Sequence, residues 1–456
     1  MFNLAILIVC SVLVWRRFSR CYEDGLPLVV GLLAVLPDSV CIEAVPIITL
    51  SRLLIVISLI FWLQNPSLRR GLSQAPLYKI QLVLVVCFFI STLPSEFFEV
   101  SVKRFFCYLL ESFLLFLIVQ SSVTDCKQAT RLVTAIGYGL LFVALLGFGE
   151  HFFGFELFNS NSGGYEGAAE RFTWVPENAL DYIHATYIHR ILFGVACALG
   201  AAKFLVDGGL FSGKWPTIRN FGMFFVCGSS LFFSNSRGPW IAFIICSFLL
   251  LMLFPKRFLK KVLVFGLLVL VVIIMRPGIW STISGLADQT VDTDSYRGGS
   301  FKWRMIVWNV AVNEIGKSDP FHFLFGYGGG SHIMTDFGTA EVHPGLFLPL
   351  ASWDCEFAII LYERGVVGFV CVALLYILGI TQVARYLYRH RLNLDAAMTW
   401  TLTCLVIMLL MTANVALFAP QLTFISAFAL GIASKYLATS GFECENPEPV
   451  TTVHAT

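Results

Sequence analysis

Charge is what this chain has least of. Asp, Glu, Lys and Arg supply 13% of its 456 residues while 57% are hydrophobic. A soluble domain carries about 25% charged residues, so this chain buries its surface in lipid. Its 13 cysteines form no C-x-x-C pair and sit mostly inside apolar runs, which argues against a zinc ribbon or a disulfide framework and leaves them as small buried hydrophobes. No H-x-H or H-E-x-x-H spacing occurs, so no metal site is expected. No basic tract with interleaved aromatics is present, so nucleic acid is not an expected partner. The absence of an internal repeat weighs against a transporter of inverted halves. The N-terminus also lacks the charge order of a signal peptide: Arg16, Arg17 and Arg20 follow its apolar run instead of preceding it, so it is read as a retained, short first span.

Apolar runs are what the chain has in abundance, near residues 2–15, 26–36, 45–63, 77–93, 103–120, 130–149, 187–206, 219–233, 239–254, 260–275, 360–384, 396–416 and 419–438. They lack the alternation of a barrel, and backbone in lipid must bond within its own segment, so they are expected to be helices. The reading is an all-α polytopic membrane protein, one integral domain over 1–456, with about 11–13 spans. The connection Pro255–Lys261 carries four positive charges and no acid, which assigns it to the cytoplasm. By alternation, the connections near Arg385/Arg389/Arg391, Lys214/Arg219, Lys127/Arg131, Arg69/Arg70 and Arg16/Arg17/Arg20 fall on that side too. This puts the N-terminus outside and the polar tail 440–456 inside, disordered. Two long polar stretches then fall outside, 150–187 and the loop 276–356. A loop of about 80 residues exceeds what a connection needs and is expected to be functional. Within it, Ser300–Gly316 reads as an amphipathic helix, with Arg304 and Trp308 four apart on one face, and Phe323–His332 reads as a glycine-rich turn.

The candidate residues collect on this outer side. Arg237, in SNSRGPW, sits between two apolar runs, where a guanidinium in lipid costs at least a few kcal/mol. It either snorkels to the headgroups or binds an anion, since Gly238 admits close approach and Pro239 suits a first helical turn, and a helix N-terminus with a guanidinium attracts phosphate. Arg304 either faces water or joins it; Arg171 and Arg190 are weaker candidates of the same kind. Glu111, inside an apolar run, is either a proton or substrate site or the partner of a neighbouring helix. Asp354 and Glu356 stand at the mouth of the next span, as solvated carboxylates or as a general base. His332 and His343 lie in the large loop.

Four segments together resemble a known family. SNSRGPW resembles the S-R-G-x-W element of the bacterial O-antigen ligase and polysaccharide polymerase superfamily, RMIVWNVA its R-x-x-x-W segment, FGYGGG its F-G-x-G turn, and Glu363–Gly368 its E-x-G-x-x-G run. Ligases of that family carry a histidine eleven residues before the glycine that matches Gly365; here that position is Asp354, which favours a polymerase. The resemblance implies an inverting glycosyltransferase of the bacterial inner membrane, working at the extracytoplasmic face without cofactor or metal. It implies an undecaprenyl-diphosphate-linked glycan as donor and a polysaccharide or lipid-core acceptor, with membrane lipids and other polysaccharide export and assembly proteins as partners. It places the diphosphate on Arg237, Arg304, Arg171 and Arg190, makes Asp354 the catalytic base, and leaves Glu356, His332 and His343 to the acceptor side. A flippase for lipid-linked sugars and an envelope scaffold are the alternatives.

Overall fold

The computed structural model describes residues 2–37, 40–41, 49–69, 76–153, 183, 185–187, 189–207, 215–256, 258–260, 263, 266–267, 299–343, 346–350, 353, 355–390, 395–413 and 420–438. They form helices α1 (Phe2–Arg20), α2 (Tyr22–Val35), α3 (Leu50–Gln64), α4 (Pro76–Thr92), α5 (Phe98–Tyr108) and α6 (Leu115–Ser122), the last two joined by a π-helical turn, Leu109–Leu114. There follow α7 (Cys126–Phe153), α8 (Arg190–Asp207), α9 (Trp215–Phe233), α10 (Arg237–Leu253) and α11 (Gly299–Lys317). The short α12 (Pro320–Phe325) and α13 (Ser331–Met334) precede the strands β1 (Thr339–His343) and β2 (Leu346–Pro349), and α14 (Glu356–Arg389), α15 (Ala396–Thr412) and α16 (Pro420–Ala438) complete the set.

The helices are apolar on both faces. On α10, Ala242, Phe243, Cys246 and Leu250 are buried, while Ile241, Ile244, Ile245, Phe248 and Met252 stand exposed along the opposite side. A helix with one water-facing side would carry polar residues there. The same exposed apolar rib appears on α4 (Leu82, Val83, Val86, Phe89) and α7 (Tyr138, Phe142, Leu145), and it marks a membrane protein. Two helices, Cys126–Phe153 and Glu356–Arg389, are both long and apolar enough to cross a bilayer, and five further apolar helices have 10–17 residues.

Contacts between helices sort the connections onto two ends. Arg131 pairs with Glu23 at 3.9 Å, Tyr22 bonds Ser122, and the Trp62 indole donates to Ser121. Gly137 lies against Lys203, the Trp400 indole donates to the Leu199 carbonyl, and Cys246 reaches the Thr403 carbonyl. The described flanks of all six Lys/Arg-rich connections therefore share one end of the bundle. At the other end, Gly194 lies against Ser234 and Pro239, Gln421 donates to the Thr186 carbonyl, and Cys355 to the Ala413 carbonyl. The first turns of α8, α10, α14 and α16 meet there.

Within the large loop, the expected amphipathic helix is α11, which buries Trp303, Val307, Ala311 and Ile315 in one apolar cluster with Trp353, Ala358, Ile359 and Tyr362. The glycine-rich segment splits. Asp319 caps the amides of Phe321 and His322, Pro320 takes the first helical position, and Gly326 ends α12 at φ 74°, so sequence chemistry fixes both ends of this short helix. The fold is all-α as expected, with one short addition: β1 and β2 form an antiparallel hairpin, with Ala340 opposite Leu348 and Glu341 opposite Phe347. Its strands are too short to show a period in the sequence, and Pro344-Gly345 between them was the one turn signal available.

Helix α14 is broken at Gly365, whose backbone sits at φ 62°, ψ −170°. A Cβ there would lie 2.4 Å from the carbonyl carbon of Leu324. Gly365→Ala is therefore expected to cost about 3 kcal/mol or more through strain and backbone clash. Gly149→Ala, in open space on α7, should be neutral, and unfolding midpoints in detergent compare the two. A second expectation concerns the two ends: in a cysteine-free background, Asp336→Cys and Lys256→Cys should react with an impermeant thiol reagent from opposite sides of the membrane.

Candidate functional site at the break in the long helix

A helix broken in mid-course leaves the carbonyls before the break without donors from the next turn. In α14 these are Tyr362, Glu363 and Arg364, and each finds a donor elsewhere. The Tyr327 amide donates to the Tyr362 carbonyl at 3.0 Å, the Gly328 amide to the Glu363 carbonyl at 2.9 Å, and the Cys87 thiol to the Arg364 carbonyl at 3.5 Å. The approach needs glycine on both sides: a Cβ on Gly326 would lie 2.4 Å from the Arg364 nitrogen. Gly328 and Gly330 take φ of 94° and 82°, which glycine adopts without the strain other residues meet. Below the turn, Ser95 donates to the Tyr327 carbonyl and Ser101 to the Gly329 carbonyl.

The Glu363 side chain locks this arrangement. Its Oε1 accepts from the Gly330 amide and lies 2.6 Å from Nδ1 of His332. Glu363 and His332 are both buried, at 6% and 2% exposure, so the pair stands away from water, where a carboxylate needs such donors. Aromatic rings extend the contact: His322 stacks on Tyr327 at 4.6 Å, Tyr327 on Tyr362 at 4.8 Å, and Trp353 packs against both Tyr362 and His332.

Of the residues singled out in the sequence, His332 contacts this centre directly. Arg237 opens α10; its neighbour Gly238 touches Met411 at the end of α15, and Cys355 bonds the Ala413 carbonyl at the same end. Arg190 opens α8, whose Gly194 packs on Ser234 and Pro239 beside Arg237. Arg304 approaches from α11: burial pushes the Cys355 thiol up, and the nearby Arg304 guanidinium opposes that shift. Trp308, on the same face, packs against Phe369 of α14. Glu356 is the first residue of α14 and His343 the last of β1. His332 is drawn inward to Glu363. Arg171 and Asp354 lie outside the described residues; Trp353 and Cys355, which flank Asp354, are both buried. Glu111 resolves to the second of its two readings: it pairs with Arg52 of α3 at 2.6 Å. Among the described residues, no group of three or more His, Cys, Asp or Glu could hold a metal ion.

Sequence reasoning missed Glu363 as a side chain with work to do, although a carboxylate inside an apolar run is itself a signal. Replacing it by Ala would leave the Gly330 amide buried without an acceptor, a cost of about 1–3 kcal/mol. Hydrogen exchange over Gly326–His332 should then accelerate on the order of tenfold or more, whereas Glu363→Gln keeps an acceptor oxygen and should accelerate it far less.

Residues 222–373, from α9 into α14, match the family model Wzy_C, described as O-antigen ligase; no curated protein matches the chain. The matched segment takes in Arg237, Arg304, the glycine-rich turn, the hairpin and the broken helix, and leaves Arg190 and Arg171 outside. With the apolar helices around it, this match supports the assignment of the protein to the O-antigen ligase and polysaccharide polymerase superfamily of membrane glycosyl-transferring proteins.

Proposed function

We propose that this protein transfers a glycan from undecaprenyl diphosphate to an acceptor hydroxyl at the extracytoplasmic face of the inner membrane, with inversion and without a metal, as an O-antigen or exopolysaccharide polymerase or ligase. The observation that supports this reading is that the first turns of α8, α10 and α14 share the end opposite the basic connections, with Arg190 first in α8 and Arg237 first in α10. Helix N-termini and guanidinium groups both favour a phosphate. Basic connections face the cytoplasm, which assigns the arginine end to the outside.

In the proposed step, the acceptor oxygen attacks the anomeric carbon from the face opposite the diphosphate. The carbon–oxygen bond to the diphosphate breaks, the electron pair leaves with the diphosphate, and the hydroxyl proton passes to Asp354. Arg237 and Arg304 hold the departing charge, with Arg171 and Arg190 beside them. Glu356, His332 and His343 belong to the acceptor side, His332 through the turn it pins. Asp354 in place of a histidine favours the polymerase over the ligase. A flippase is the second reading, and the Lys203–Asp207 pair at the end of α8, with Lys203 buried, is the observation in its favour, since charged residues in apolar helices can mark a transport path.

Turnover of purified protein on lipid-linked oligosaccharide tests the mechanism. Asp354→Asn should lose on the order of 10²-fold or more in rate with donor binding retained, and Glu356→Gln much less. Arg237→Ala should nearly abolish transfer, and Arg237→Lys should restore little, because the lysine lacks the bidentate fork. Normal turnover of Asp354→Asn would move the base elsewhere. In a deletion strain, single repeats on the carrier at the outer face indicate a polymerase, loss of long chains from the lipid core a ligase, and carrier-linked repeats stranded inside a flippase.

A further inference from the structure

The short helix α12 carries its large apolar side chains outward. Phe321, Phe323 and Leu324, three of its six residues, are 38%, 42% and 41% exposed. His322 instead turns inward and stacks on Tyr327. Contiguous apolar surface of this kind on a connecting segment marks an interaction site.

What covers it follows from where it sits. α12 packs on both α4 and α14, and each of those helices presents an exposed apolar rib. On α4 the rib runs through Leu82, Val86 and Phe89 and continues to Leu93 just past the helix end. On α14, beyond the break, it runs through Val370, Leu374 and Ile377. These ribs face lipid. The α4 rib ends beside the glycine-rich turn, because Ser95, two residues beyond Leu93, donates to the Tyr327 carbonyl. Phe98, which opens α5, is exposed there as well. The outward face of α12 therefore continues a lipid-facing surface.

Charge fixes the depth. From Val366 to Ala384, α14 contains no charged residue, and the charges that flank this stretch are Arg364 and Arg385. The segment of about 20 residues from Gly365 to Arg385 spans about 30 Å at 1.5 Å per residue, the thickness of a hydrocarbon core. Arg385 belongs to the basic end, so the break lies at the opposite boundary of the bilayer. Arg364 marks that level: its stem lies across Gly368, where a Cβ would come within 2.4 Å of the arginine's own Cβ, and its guanidinium carbon sits 4.2 Å from the Phe88 ring centre. The end of α12 meets the same residue, since a Cβ on Gly326 would lie 2.4 Å from the Arg364 nitrogen. We propose that α12 is an interfacial anchor: Phe321, Phe323 and Leu324 insert between the headgroups and acyl chains of the leaflet at this end, and thereby hold the glycine-rich turn against the broken helix. Lys317 and Asp319, exposed just ahead of the apolar residues, suit the wet side of that boundary.

Depth is measured on full-length protein in a cysteine-free background, reconstituted in vesicles of phosphatidylethanolamine and phosphatidylglycerol. A nitroxide on Phe323→Cys reports collisions with oxygen, which concentrates in lipid, and with a water-soluble nickel chelate. Val370→Cys is the lipid reference and Asp336→Cys the water reference. The label at 323 should follow Val370→Cys, with oxygen dominant; a nickel-dominated label like that of Asp336→Cys would put α12 in water and overturn the inference. A label shielded from both reagents would overturn it too, since protein would then cover the face, and spin–spin broadening would identify a second copy. Leu324→Cys gives an independent reading of the same pattern should the first variant fold poorly. Anchoring has its own readout: in vesicles, Phe323→Asp should accelerate hydrogen exchange over Gly326–His332 on the order of fivefold, and Phe323→Leu far less. Unchanged exchange in Phe323→Asp would leave a lipid contact that holds nothing and overturn the anchor.

Discussion

The break at Gly365 is the constraint on which the rest of the site depends. Buried carbonyls whose intrahelical donors have been withdrawn need other partners, so a helix interrupted there must borrow donors from another segment. The loop supplies two, from Tyr327 and Gly328, and α4 supplies the Cys87 thiol. The requirement is reciprocal. The loop's own amide at Gly330 turns inward and needs an acceptor, which Glu363 provides. A segment far from the helix in sequence is thereby held at one register, and α11, packed on the same stretch of α14, is held with it.

Electrostatics follows the same division of ends. Where charges sit within the bundle they are mostly closed in pairs, Arg52 with Glu111 and Lys203 with Asp207. Closed pairs cost desolvation but leave no net charge to attract a ligand. At the other end, Arg190 and Arg237 are the first residues of α8 and α10, where first-turn amides favour negative charge. Charge and backbone dipole therefore point the same way, which is the arrangement a phosphate requires.

Much of this was legible in the sequence, and the limits are physical. Apart from the run 260–275, most of which lies outside the described residues, the apolar runs are largely helical among the described residues, because period and length leave few other options in lipid. The ends of α12 were written in Asp319, Pro320 and Gly326, and the common end of the basic connections in the distribution of Lys and Arg. What the sequence did not disclose are pairings across distance. Arg52 and Glu111 are 59 residues apart, and His332 and Glu363 are 31 apart. Nothing in either segment alone names its partner. Arg364 was passed over for a different reason: next to a motif glycine it reads as filler, and only the path of its stem across Gly368 shows that the second glycine exists to clear that path.

The E-x-G-x-x-G run can now be read as mechanics. The glutamate reaches sideways to the turn, the first glycine breaks the helix and exposes the carbonyls that bind the turn's backbone, and the second glycine opens space for the side chain between them. Each element fails without the others, since the break is tolerable only if the loop is docked, and the loop docks only if the carboxylate accepts its amide. Such interdependence explains why weak motifs, scattered over Ser234–Gly368, describe one object. Those within Trp303–Gly368 are the separate contact points of a loop with a broken helix.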